Sequence, residues 1–204
     1  MSVIVVDYDA GNLRSVETAL SHLGAEFTVS SDPKALHRAD RIIFPGVGDG
    51  SHAMQVLGGR GLAEAMQAAF ERATPILGIC VGCQIVFDKT EEGDAACLGL
   101  IPGAAKRFAG DLALKIPHMG WNAVRHEEGH WLFEGIKQEA SFYFVHSYYP
   151  APACEEHVIA RTDYGISFAA GVERDSLVAV QFHPEKSGEA GLKLLSNFLS
   201  AGRR

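Results

Sequence analysis

The first eighty residues alternate between two hydrophobic periods, and that alternation limits the fold more than any single residue does. Val3–Val6 is an unbroken apolar run, which suits a strand buried on both faces. After a turn over residues 7–12, Leu13, Val16, Leu20 and Leu23 recur at helical spacing until Gly24, where a left-handed backbone ends the helix cheaply. Residues 26–29 read as a second strand, and Ser31-Asp-Pro33 opens a short helix. Arg41-Ile-Ile-Phe44 is a third strand closed by Pro45-Gly-Val-Gly48, and a helical stretch over 62–72 leads to a fourth strand at 75–79. Strands alternating with helices predict right-handed βαβ units.

The second half changes character. Residues 104–108, 120–124, 141–145, 157–161 and 166–170 are short strand candidates separated by turns, the pattern of antiparallel additions. Residues 177–182 form another buried strand, and 189–199 an amphipathic closing helix. The expected fold class is therefore α/β and three-layered, with a mostly parallel central sheet, helices on both faces and an antiparallel portion in the second half. No linker, repeat or low-complexity stretch interrupts the 204 residues, so residues 1–204 are expected to form one domain, long enough to bury a core without staples.

Charge and composition narrow the partners. Lys and Arg number 18 against 25 Asp and Glu, a net charge of −7, and no basic stripe is visible, which argues against nucleic acid. No apolar run is long enough for a membrane span. The N-terminus has no basic region ahead of its apolar run and reads as a strand, not a signal peptide. Four cysteines are too few for a disulfide framework in 204 residues, so a reducing, cytoplasmic setting is expected.

The most informative segment is Pro75-Ile-Leu-Gly-Ile-Cys-Val-Gly-Cys-Gln84. An apolar strand runs into Cys80, then a glycine, then a helical pattern at Ile85 and Val86: a nucleophile elbow with cysteine in place of serine. Gly78 and Gly82 let neighbouring backbone approach. The following helix N-terminus is expected to lower the thiol pKa and offer N–H groups to an oxyanion. Two plainer readings compete. Cys80 also suits a small core hydrophobe, and Cys80 with Cys83 makes a C-x-x-C, although zinc needs two more ligands and Cys97 and Cys154 stand alone.

Val180-Gln-Phe-His-Pro-Glu-Lys-Ser187 supplies what a thiol nucleophile needs. Pro184 biases His183 toward an extended backbone, and at i and i+2 of an extended chain His183 and Glu185 project to one side, so the carboxylate can orient the imidazole. Cys80 and His183 both sit at carboxyl ends of strands, where open parallel sheets gather their reactive groups. Phe44-Pro-Gly-Val-Gly-Asp-Gly50 is glycine-rich without completing a phosphate motif. It fits better as a flexible loop whose N–H groups face an oxyanion. His126-Glu-Glu-Gly-His130 matches H-E-x-x-H literally, yet Gly129 and its polarity make it a solvated turn. Residues 142–148 look like core strand plus aromatics, with His146 and Ser147 at a pocket-facing end.

Taken together, Gly78-Ile-Cys-Val-Gly-Cys-Gln84 and Gln181-Phe-His-Pro-Glu185 resemble the class I glutamine amidotransferases, which use a Cys-His-Glu triad. Asp7-Tyr-Asp-Ala-Gly-Asn-Leu-Arg-Ser15, Phe44-Pro-Gly-Val-Gly48, Leu98-Gly-Leu-Ile-Pro-Gly103, His118-Met-Gly-Trp-Asn122, Phe144-Val-His-Ser-Tyr148 and Phe182-His-Pro-Glu-Lys-Ser187 narrow the resemblance. Within the class it is to the amidotransferase subunits of imidazole glycerol phosphate synthases, along the whole chain and in order. Two departures stand out: Asp9 where the family usually has Gly, and Cys83 where it usually has Met.

The resemblance implies that Cys80 attacks the side-chain amide of L-glutamine to form a thioester. His183 would pass the proton to the leaving ammonia and Glu185 would hold His183. Backbone N–H groups of Val47 and Val81 would meet the oxyanion, and Gly48, Gln84, Ser147 and Tyr148 would hold glutamine, with no cofactor and no metal. It further implies a (β/α)8 cyclase subunit as heterodimeric partner, which turns the ammonia into imidazole glycerol phosphate and aminoimidazole carboxamide ribotide. Asn12, Met119, Trp121, Asn122 and Lys186 are the candidates for the docking face. Glycines on either side of Val47 suggest that a peptide flip completes the oxyanion hole only when the cyclase is loaded. The alternatives are the glutaminase subunit of another synthase, or a Cys-elbow hydrolase, chaperone or redox sensor of the same fold.

Overall fold

A computed structural model of the chain describes residues 2–9, 13–110 and 114–201. Its first half follows the alternation: β1 (Val3–Val6), α1 (Leu13–His22), β2 (Phe27–Ser30), α2 (Pro33–His37), β3 (Arg41–Gly46), α3 (Gly50–Gly59), α4 (Leu62–Glu71), β4 (Ile76–Cys80) and the single turn α5 (Val81–Gln84). Short strands β5 (Lys89–Thr90) and β6 (Ala95–Ala96) precede β7 (Gly103–Arg107), β8 (His118–His126), β9 (Ala140–His146) and β10 (Tyr148–Pro152). Strands β11 (Val158–Tyr164), β12 (Ile166–Arg174) and β13 (Leu177–Val180) then lead to α6 (Gly188–Ser200).

A nine-stranded sheet runs β2-β1-β3-β4-β13-β12-β11-β8-β9, and a four-stranded sheet runs β10-β7-β5-β6. From β2 to β13 all pairings are parallel, and the extension from β12 outward is antiparallel. The step from β1 to β2 moves one way along the sheet and the later steps to β3 and β4 move the other. Right-handed crossovers therefore put α1 on one face and α2, α3 and α4 on the other. Consistent with that, α2 and α3 each pack on α4, while α1 and α6 both meet the turn Pro184–Lys186. The fold is the expected three-layer α/β architecture. The central strands β1, β3, β4 and β13 are buried throughout, as strands covered on both faces must be, and one hydrophobic cluster runs through both halves.

Three expectations need correction. Residues 44–50 are not one long flexible loop: β3 continues to Gly46, and α3 begins at Gly50 because the Asp49 side chain caps it, accepting from His52 N at 2.8 Å. The helix after Cys80 is one turn long, too short for a helix dipole to lower the thiol pKa. Of the H-E-x-x-H stretch, Glu127 to Gly129 form an exposed turn, but His130 is tucked in against Glu173 at 2.9 Å and His126 reaches the Ile136 carbonyl at 3.2 Å. Both histidines are structural, and His126 closes a strand instead of sitting on a helix.

The strand-to-helix corner depends on Gly82. A Cβ there would lie 2.0 Å from the Phe44 carbonyl oxygen of β3, a backbone atom that cannot swing aside. Gly82→Ala is expected to cost about 1–3 kcal/mol through overpacking, read as a lower urea midpoint at unchanged slope; full stability would show that β3 can yield.

Candidate active site

Cys80 ends β4 with φ 55° and ψ −107°, a left-handed conformation that a residue with a Cβ adopts only under constraint. The constraint is visible on both sides. In parallel register Gly46 of β3 pairs with Cys80, and Val180 of β13 pairs with Ile79. The thiol is 3% exposed and lies 4.0 Å from the Val145 carbonyl, with the Gln181 side-chain amide donating toward it at 3.7 Å.

His183 follows β13 directly. Its backbone N–H bonds to Tyr143 O at 2.9 Å, and the Ser187 hydroxyl, donating to His183 O at 2.6 Å, also accepts from Tyr143 N at 3.0 Å. The imidazole Nδ1 meets Glu185 Oε1 at 2.7 Å with both side chains almost fully buried. The chain is extended at His183 but turns into a short 3-10 helix at Pro184–Lys186, so it is this turn, not an extended i, i+2 relation, that brings the carboxylate under the ring. The His183 Nε2 has no partner within ordinary hydrogen-bond range, yet Cys80 is near enough to act on it. Burial alone would lower the imidazole pKa; the charge and thiol of Cys80, with Glu185, outweigh it and raise the pKa to about 10. Cys83 differs: fully buried, its thiol is pushed well up, first by burial and then by the charge of Cys80, so it stays protonated. Among the described residues the metal-type donors that gather, Cys154, Glu156 and His157, lie apart from this C-x-x-C.

A cavity of about 220 Å³ opens over the thiol, lined by Val47, Gly48, Cys80, Val81, Gln84, Glu92, Pro117, Val145, His146, Ser147, Tyr148 and His183. Every residue expected at the oxyanion and at glutamine is on this lining, and so are Cys80 and His183. Larger hollows exist, such as one of about 550 Å³ beside α1, but that one is lined by neither Cys80 nor His183. Gly48 holds φ 92°, a backbone its glycine permits without strain. The Gln84 amide group is already spent, donating to Tyr148 O at 2.9 Å and Gln181 Oε1 at 3.0 Å, which leaves only its oxygen for a ligand.

Glu92 was not legible in advance. Its carboxylate accepts from Gly50 N at 2.6 Å and burial raises its pKa. In sequence it is one acid among several in a polar turn, and only the cap it gives to α3 brings it to the cavity. On the outer surface the structure brings Met119, Trp121 and Lys186 together around Tyr143. Trp121 stands edge-on to the Tyr143 ring at 6.1 Å, the Lys186 ammonium lies 6.0 Å from that ring, and Met119 and Trp121 are 58% and 59% exposed. Asn122 points to the opposite face of β8, toward His118 and the Asp163 carbonyl. Asn12 lies outside the described residues.

The family model for "Glutamine amidotransferase class-I" matches residues 4–201. The chain is a class I glutamine amidotransferase. It is 48% identical to the imidazole glycerol phosphate synthase subunit HisH of Dehalococcoides mccartyi (strain CBDB1), over 96% of this chain and 95% of that one. It is 46% identical to the HisH subunit of Aromatoleum aromaticum over 97% of both, and so belongs to the HisH branch of the amidotransferase family. Among solved structures it is similar to the Thermotoga maritima PurLQS structure, with TM-score 0.76 and 22% identity covering 98% of this chain and 97% of that one. A structure described as a glutamine amidotransferase aligns equally well, TM-score 0.76 at 20% identity over 97% of each chain. At that identity the two structures speak for the amidotransferase fold alone.

The electrostatics of the amidotransferase cavity make a pH prediction. A histidine raised in the folded state from 6.5 to about 10 contributes stability that is whole below about pH 6.5 and lost as pH rises through about 10. Cys80→Ala removes the main raising cause. Its His183 titration midpoint, followed by NMR, is expected to fall relative to the parent, and its loss of stability between pH 6.5 and 10 to be shallower. Equal midpoints would show that Cys80 and His183 are not coupled.

Proposed function

We propose that this chain is the glutaminase subunit of an imidazole glycerol phosphate synthase, acting in the cytoplasm as a single catalytic domain spanning residues 1–204. The observation that carries the reading is a strained, buried Cys80 and a buried His183 on the lining of a cavity sized for one amino acid, with Glu185 bonded to the far side of the imidazole. Cys80 passes its proton to His183 Nε2 and attacks the δ-carbonyl carbon of glutamine. The oxygen takes the negative charge and is met by the N–H groups of Val47 and Val81, worth about 10²–10³ in kcat for each donor. The C–N bond breaks as His183 Nε2–H protonates the leaving nitrogen, giving ammonia and a glutamyl thioester on Cys80. Water, deprotonated by His183, then releases glutamate and restores the thiol. Glu185 keeps the ring aimed and balances the imidazolium charge.

Glutamine is held by Gly48, Gln84, Ser147 and Tyr148, and the cavity-lining Glu92 carboxylate is the natural partner of its ammonium group. Free ammonia is protonated in bulk water, so it is handed to a (β/α)8 cyclase subunit. That subunit docks on the exposed Met119, Trp121 and Lys186 patch, a surface whose apolar exposure asks for a cover, with Asn12 and Asn122 as further candidates. Lys186 adjoins Glu185 in the chain, which supports a short route from a docking face there to the triad. A flip of the 46–48 loop completes the oxyanion hole when the cyclase is loaded.

Reconstitution tests this. The chain mixed with a cyclase subunit is expected to make imidazole glycerol phosphate with glutamine as nitrogen source, and Cys80→Ala to abolish that activity while leaving the ammonium-dependent reaction intact. Activity with ammonium salts but none with glutamine in the parent pair would exclude the assignment.

A further inference from the structure

From His146, on the wall of the cavity, a run of buried polar groups that the glutaminase chemistry does not use leads away to β8. His146 Nδ1 is 2.7 Å from Tyr148 O, His146 Nε2 is 3.0 Å from His118 Nδ1, and His118 Nε2 is 3.2 Å from the Asn122 amide nitrogen. A carbonyl oxygen only accepts, so His146 Nδ1 carries its proton. Both rings are neutral, His118 lowered to about 4 by burial and His146 to about 3 chiefly by burial. The bare His146 Nε2 must then accept from His118 Nδ1–H, and the bare His118 Nε2 from Asn122 Nδ2–H. Asn122 is itself pinned: its oxygen accepts from Ala123 N at 2.8 Å and its second N–H donates to Asp163 O at 2.9 Å.

At the other end, Tyr148 O accepts a second bond from Gln84, Gln84 donates on to Gln181, and Gln181 donates to the Cys80 sulfur. Every proton from β8 to the thiol has one assignment. The His118 ring is clamped between Phe144 at 4.8 Å and Tyr164 at 4.0 Å, so it does not rotate to escape that assignment.

We propose that His118 and His146 are positioning residues for glutamine: a tautomer-locked pair, fixed from Asn122, that holds the Tyr148 carbonyl and through it Gln84 in the geometry the cavity needs. Were His146 to take the other tautomer, two lone pairs would face each other across the 2.7 Å gap to Tyr148 O, and the carbonyl and the Gln84 amide would both shift. His118 on β8 and its cross-strand partner His146 on β9 face inward, whereas the other side of β8 carries the exposed Met119 and Trp121. The inference deepens the glutaminase reading and depends on it.

The test compares His118→Leu with His118→Gln in the full chain together with its cyclase, measuring glutamate release. Losing a locked hydrogen bond is expected to raise the KM for glutamine about tenfold in His118→Leu while kcat stays within about threefold, and the glutamine side chain, which both donates and accepts, to restore KM to within about threefold. An unchanged KM in His118→Leu, or equal defects in both variants, would overturn the proposal; a merely unfolded fraction would lower kcat at constant KM. Should His118→Leu not fold, ¹⁵N NMR of the labelled parent chain decides: both rings are expected as neutral Nδ1–H tautomers, and an Nε2–H form of either overturns the assignment. A parent chain that releases no glutamate would defeat the glutaminase reading itself, a result distinct from either of these.

Discussion

The site depends on one constraint: the in-register parallel pairing of three buried strands. Because β3, β4 and β13 run the same way and end at the same level, Gly46, Cys80 and the segment after Val180 leave the sheet side by side. Parallel order gives the glycine loop on one flank of the thiol and His183 on the other, although His183 is far from Cys80 in the chain. Closeness of backbone then does the rest. Gly82 must be glycine because the Phe44 carbonyl occupies the place of its side chain, and Gly46 must be because the Tyr8 hydroxyl does, 2.1 Å from where a Cβ would sit. The left-handed backbone at Cys80 is the strain that this crowding sustains, as is common where a nucleophile must stand clear of its strand.

Burial sorts the groups around the thiol by role. Cys83, one helical turn away, is fully buried and stays a thiol, while Cys80 has the Gln181 amide donating toward its sulfur and His183 coupled to it. The histidines divide in the same manner. His183 is buried beside an acid and a sulfur and is pushed toward its charged form. His118 and His146 are buried beside neutral donors and aromatic rings and are pushed toward their neutral form. The same residue type is thus favoured in its charged form at one place in the site and in its neutral, hydrogen-bonded form at another.

Much of this was legible in the sequence because it is written in local pattern. Apolar runs and glycine punctuation gave the central strands to within a residue or two, and the elbow and the Gln-Phe-His-Pro-Glu segment announced themselves by spacing. What escaped notice was long-range. Helix α3 begins with Gly50 and ends with a glycine pair, and its helicity comes from the Asp49 cap and from packing on α4, not from intrinsic propensity. Glu92 reaches the cavity only by bonding to that helix start. Tyr143, which read as a core aromatic, joins Trp121 and Lys186 on the surface because β9 pairs with β8 in a register that period-2 alternation alone does not set. The separation of Asn122 from Met119 and Trp121 was readable from alternation, yet a shared motif had grouped them.

The most direct test of the account is to find where the carbon skeleton of glutamine becomes attached. Acid-quenched turnover with carbon-labelled glutamine, followed by peptide mapping, is predicted to put the glutamyl label on the peptide sulfur of Cys80, with none on Cys83 and none anywhere in Cys80→Ala. Steady glutamate release from a chain whose Cys80 never carries the label, or a label found on Cys83, would contradict it.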